Sequence, residues 1–103
     1  MSWDLIEAAK KVISINSVTY ESNRPLVDYL SDLLKDLDLQ IELDRGELYG
    51  KEQFNLIARK GPDQGEGLLL NTHLDTVSPG DFSLWDKTGG NPFRATVIDN
   101  KIF

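Results

Sequence analysis

The sequence predicts an α/β fold: two amphipathic helices laid on a mixed sheet of about five strands. Three observations carry this. Apolar residues recur with helical period as far as Leu37. From Leu39 onward they alternate or cluster in short segments bounded by turn residues. A leucine run, Leu68-Leu69-Leu70, has the composition of a strand buried on both faces, and it leads to the chain's single histidine.

Leu5, Ile6, Ala9, Val12 and Ile13 mark one face of a helix spanning Trp3 to Ile15. Ser2 or Asp4 is placed to cap it, and Asp4 and Glu7 suit the positive end of its dipole. Asn16-Ser17-Val18-Thr19 has low helix propensity and should end it. Asn23, followed by Arg24 and Pro25, reads as the N-cap of a second helix from Pro25 to Leu37. Leu26, Val27, Leu30, Leu33, Leu34 and Leu37 form its apolar stripe. Asp28, Asp32 and Asp36 stand four apart on its outer side, either as a solvated face or as a site for calcium or a basic partner.

Leu39 to Leu43 alternates with period two and reads as a half-buried strand near an edge. Arg45-Gly46 and Tyr49-Gly50-Lys51 are turn-like, and Phe54 to Ala58 is a second strand, antiparallel to the first. Gly61 to Gly67 is a polar surface turn that delivers the chain to the leucine strand. Val77 to Phe93 is broken by Pro79, Gly80, Gly89, Gly90 and Pro92, so a long loop is expected there, tied down by Trp85 and Phe93. Stacking on a ligand is the other use open to Trp85. Arg94 to Ile98 and Lys101 to Phe103 make a hairpin across Asp99-Asn100, two residues that tolerate positive φ. The sequence stops within that second strand, so the native chain is expected to continue.

With 103 residues the chain holds one domain at most. A net charge of −6 disfavours binding to nucleic acid or to an anionic membrane surface. With no cysteine there is neither a disulfide nor a thiolate metal site. The first residues lack a basic stretch followed by an apolar one, so no secretory signal is expected. No apolar run approaches the ~20 residues of a membrane span, and a cytoplasmic location is the expectation. No repeat, low-complexity segment or linker divides the chain.

The chemistry gathers at His73 and Asp75. Residues i and i+2 of an extended segment lie on one side, so the imidazole and the carboxylate should emerge together. A metal-bound histidine commonly gives its second ring N–H to such a carboxylate. A structural or exposed hydrogen-bonded pair is the alternative. Serine hydrolase chemistry lacks its G-x-S-x-G elbow, and phosphate-binding glycine loops are missing as well. One histidine and no cysteine cannot complete a zinc site, so further ligands must come from elsewhere.

These residues resemble a known family. Leu68 to Val77, Pro79-Gly80-Asp81, Trp85, Asn91-Pro92-Phe93 and Asp99-Asn100-Lys101-Ile102-Phe103 are similar to the dinuclear zinc exopeptidases and deacylases. That family includes acetylornithine deacetylase, succinyl-diaminopimelate desuccinylase, aminoacylase and glutamate carboxypeptidase. Ile15-Asn16-Ser17-Val18 and Phe54 to Arg59 agree with it, so the likeness covers the whole chain. It implies the amino-terminal part of a metallohydrolase domain over residues 1–103, and of a three-layer α/β/α architecture. It also implies that His73 is a zinc ligand and that Asp75, counted with the catalytic residues, orients it. In the family the hairpin leads into Gly-Arg-Gly, a metal-bridging aspartate, a general-base glutamate and further ligands, none of which lies in this sequence. Asp99-Asn100 departs from the commoner Asp-Gly, and the turn should survive that.

The implied reaction of a complete protein is hydrolysis of an amide in an N-acyl amino acid or small peptide. Two zinc ions, for which cobalt can substitute, sit ~3.5–4 Å apart and activate a bridging water. This chain alone is expected to be inactive and to form a homo-oligomer through its uncovered strand edge. A non-catalytic interaction module is the alternative, and a mononuclear site shared between two copies is a third reading.

Overall fold

The computed structural model describes residues 3–103. The Ser2 alternative for the first cap lies outside the described residues. Helix α1 is Leu5–Ser14, and Asp4 caps it by accepting the Ile6 and Glu7 N–H groups at 2.8 and 3.3 Å. Helix α2 is Arg24–Lys35, with Pro25 in its first turn and Leu26, Val27 and Ser31 buried. It stops short of the expected Leu37 because Asp38 takes φ 59°. A left-handed residue there lets the Asp38 N–H close back on the Lys35 carbonyl at 3.0 Å.

Strands β1 (Gln40–Leu48) and β2 (Lys51–Arg59) form one antiparallel hairpin, with Leu48 opposite Lys51 and Gln40 opposite Arg59. Both strands are longer than expected. Arg45-Gly46 is strand, not turn, because the reversal is made by Tyr49-Gly50 alone, at φ 53° and 74°. Positive φ at both central residues suits a two-residue turn that follows the twist of the strands. Diagonal ion pairs Arg45–Glu52 (3.2 Å) and Arg59–Glu42 (3.0 Å) link the two strands, one on each face of the hairpin. Helix α2 packs on this hairpin, and Asn23 joins the two. Asn23 sits at the N-cap position but does not cap. Its side chain instead accepts the Phe54 N–H and donates to the Phe54 carbonyl, both at 2.9 Å, completing the outer edge of β2 as a neighbouring strand would.

The expected single sheet of about five strands does not form among the described residues. There are two separate two-stranded sheets, β1–β2 and the short hairpin β3 (Val97–Ile98) with β4 (Lys101–Ile102). The hairpin turns on Asp99 and Asn100 at φ 49° and 61°, so the turn does survive the Asp-Asn pair. The leucine run is extended but unpaired, and Leu68, Leu69 and Leu70 are 86, 87 and 84% exposed. Among the described residues the backbone of Leu68 to Leu74 makes no hydrogen bond to another segment. Apolar composition says which residues gain from burial; it does not supply the neighbour that buries them. Ala8, Leu26, Val27 and Pro92 are the buried apolar residues among the described residues. The radius of gyration is 16.0 Å, against about 13 Å for a closed domain of this length. A cleft of about 1050 Å³ separates β2 from the leucine segment.

The loop after Val77 is anchored as expected. The Trp85 indole N–H donates to the Pro79 carbonyl at 3.0 Å, and Phe93 meets Phe82 edge to face at 6.3 Å. Two 3-10 turns, Phe82–Leu84 and Asp86–Thr88, give it local order. The Asp81 carboxylate caps the first, and hydrogen bonds from the Ser83 N–H and hydroxyl hold its pKa below the ordinary value. The Asp28–Asp32–Asp36 face is solvent-exposed, with Arg24 and Lys35 beside it at 3.7 and 3.9 Å.

Candidate functional site

The site is built from the far end of the leucine segment and the turn after α1. Asn16 folds that turn by accepting the Val18 N–H at 3.0 Å. Val18 then forms a parallel bridge to Thr76: the Thr76 N–H bonds the Ser17 carbonyl and the Thr19 N–H bonds the Thr76 carbonyl, each at 3.0 Å. This bridge is what fixes Asp75 in space. The residue types that end the helix therefore also dock the site.

His73 and Asp75 do emerge on one side. The His73 Nδ1 lies 3.2 Å from Asp75 Oδ1 and 2.8 Å from the Asp75 backbone carbonyl oxygen. A carbonyl oxygen only accepts, so Nδ1 must carry the proton. In the neutral ring Nε2 then keeps its lone pair, and no other group is bonded to it among the described residues. The ring is not turned into the core; its side chain is 83% exposed and that of Asp75 is 56% exposed. Thr19, which reads in the sequence only as a helix breaker, supports the pair from behind. Its hydroxyl lies 3.1 Å from Asp75 Oδ2 and 3.1 Å from the Thr76 carbonyl, two acceptors that share its proton. The nearest sequence signal for Thr19 was its place directly after Asn16-Ser17-Val18.

Chemically this is a histidine held in one tautomer with its outer nitrogen free, at the rim of the cleft. Such a nitrogen can bind a metal ion. The donor set is otherwise short: among the described residues no group of three or more His, Cys, Asp or Glu side chains could hold a metal. The residues present fit one corner of a zinc centre and not a complete one, so no catalytic step can be drawn through a metal here.

Known proteins similar to the chain are acetylornithine deacetylases. It is 37% identical over 105 residues to the one from Photorhabdus laumondii, across 95% of this chain and 26% of that protein. It is 33% identical over 92 residues to that of Buchnera aphidicola subsp. Schizaphis graminum, 89% of this chain and 22% of that protein. For Buchnera aphidicola subsp. Acyrthosiphon pisum the identity is 32% over 104 residues, 95% of this chain and 26% of that protein. The chain is a homologue of acetylornithine deacetylases. This bears out the resemblance to the deacylase family. It spans about a quarter of the length of these curated relatives. No family model matches the chain. No solved structure matches it either. No helix among the described residues is long and apolar enough to cross a membrane.

Proposed function

We propose that this chain is the amino-terminal part of a zinc-dependent hydrolase that cleaves the amide bond of an N-acyl amino acid or small peptide, and that it is inactive alone. The observation that carries the reading is the His73 ring, whose Nδ1–H is committed to Asp75 and whose Nε2 is open to solvent. The deacetylase relatives supply the reaction class.

In this reading His73 Nε2 would hold one zinc ion, and Asp75, by taking the Nδ1–H, fixes the tautomer and aims the ring. Thr19 fixes the carboxylate so that its other oxygen stays on Nδ1. A zinc ion held there would supply the Lewis acidity that amide hydrolysis requires. The remaining ligands and the general base belong to polypeptide beyond these residues, within a three-layer α/β/α domain. The protein works in the cytoplasm on a small-molecule substrate.

The test is hydrolysis of N-acetylornithine and other N-acetyl amino acids by the protein encoded by the uninterrupted gene, with and without a chelator. Activity abolished by chelator, restored by zinc, and lost in His73→Ala supports the reading. Activity indifferent to chelator and to His73→Ala overturns it.

A further inference from the structure

The His73–Asp75 pair is tied to the rest of the fold at one place. Among the described residues, every hydrogen bond joining residues 61–103 to residues 3–60 runs through Ser17 and Thr19. These two hold Thr76 through its N–H and its carbonyl, and the Thr19 hydroxyl reaches Asp75. Whatever fixes this short segment therefore fixes the pair.

The tip of the β1–β2 hairpin grips it from the other side. Residues 18–21 form a turn closed by the Glu21 N–H on the Val18 carbonyl at 2.8 Å. Of the two central residues, Thr19 meets the site and Tyr20 meets the hairpin. The Tyr20 ring lies against that of Tyr49, with centroids 4.8 Å apart and planes tilted by 46°. Gln53 uses both ends of its amide: Nε2 donates to the Glu21 carbonyl at 2.7 Å, and Oε1 accepts the Asn23 N–H at 3.2 Å. One residue earlier, Glu52 pairs with Arg24 at 3.2 Å.

Tyr49 is the least expected of these. It is the first central residue of the hairpin turn, at φ 53°, where a Cβ is crowded and Asn, Asp or Gly is the usual choice. Tyr49 and Tyr20 are each 64% exposed, so the ring does not fill a core. A bulky residue in that conformation works against the turn, and what it gives in return is the contact with Tyr20.

We infer that Tyr49 and Gln53 are positioning residues for the His73–Asp75 pair. They clamp the 18–21 turn from the hairpin side, and the turn presents Thr19 to Asp75 on the other. Neither touches the pair itself. The consequence for a bound zinc ion rests on the proposed function, whereas the clamp does not.

Amide hydrogen exchange in the full chain, read residue by residue by NMR, tests this. Tyr49→Asn suits the turn and removes the ring, so the interstrand amides of Glu42 and Ile57 should keep their protection. The Thr19 and Thr76 amides of the bridge should exchange about two- to tenfold faster, the loss of one aromatic pair. Gln53→Ala, which leaves the turn alone, should speed the same two amides. Tyr49→Phe keeps the ring and should exchange as wild type does. The His73 ring nitrogens should shift in Tyr49→Asn toward their positions in Thr19→Val, which deletes the hydroxyl outright. Bridge amides that ignore either Tyr49→Asn or Gln53→Ala overturn the inference, as does a His73 ring that stays at its wild-type shifts. So does a speeding shared equally by Glu42 and Ile57, or a Tyr49→Phe chain that exchanges as fast as Tyr49→Asn. Hydrolysis indifferent to chelator would instead overturn the zinc reading alone.

Discussion

The hairpin β1–β2 and the leucine segment are both extended and both rich in aliphatic residues, yet one is a sheet and the other is not. The hairpin meets its partner within the same local stretch, through a two-residue turn at Tyr49-Gly50. The leucine segment has the stronger hydrophobic signal but no adjacent strand, and its first three leucines lie in solvent. Hydrophobic pattern sets what a segment gains by pairing, and chain connectivity sets whether a partner is in reach.

The sharpest way to break that contrast is to shave a leucine from each side of it. Leu26, 2% exposed, lies in the small core between α2 and the hairpin. Leu26→Ala should cost about 2–5 kcal/mol in urea unfolding, enough to unfold a domain with so thin a core. Leu69→Ala should stay within about 0.5 kcal/mol, because Leu69 is 87% exposed.

The next largest effect belongs to Asn23. Removing its amide leaves the Phe54 N–H and carbonyl without partners, so Asn23→Ala should lower stability by about 1–3 kcal/mol. A result near zero would mean that water replaces Asn23 on that edge without loss. Asp4→Ala removes the α1 cap and should cost about 1 kcal/mol, read by the same unfolding curves.

The smallest effect is electrostatic. Hydrogen bonds from Arg24 and then Arg45 hold the Glu52 carboxyl below its ordinary value of 4.5. A depressed carboxylate adds stability above its unfolded pKa and loses it as pH falls through the folded one. Stability should therefore decline below pH 4.5, and more shallowly in Glu52→Gln. Because the pair is at the surface, added salt should shrink the difference between the two proteins.

Local rules were legible wherever the answer was local. The Asp4 cap, Pro25 in the first turn, the Asp99-Asn100 reversal and the Trp85 anchor all depend on neighbours a few residues away. So does the His73–Asp75 pair, which needs only an extended backbone between them. What stayed hidden was long-range. Asn23 looked like a cap because its spacing from Pro25 is right, but Phe54, 31 residues away, claims its side chain. Thr19 looked like a helix breaker because the sequence does not reveal the bridge to Thr76 that brings its hydroxyl to Asp75. The five-stranded sheet failed for the same reason: strand propensity was counted, but the neighbour for the leucine segment lies outside the segment's own pattern.

The central claim is that His73 is held with its proton on Nδ1 and its Nε2 free. Nitrogen NMR of the imidazole tests this directly, since the single histidine makes the assignment unambiguous. Above the pH at which the ring deprotonates, the spectrum should show the Nδ1–H tautomer, with that population falling in Asp75→Ala. A ring that is mainly the Nε2–H tautomer, or one whose tautomer ratio ignores Asp75→Ala, would contradict the account.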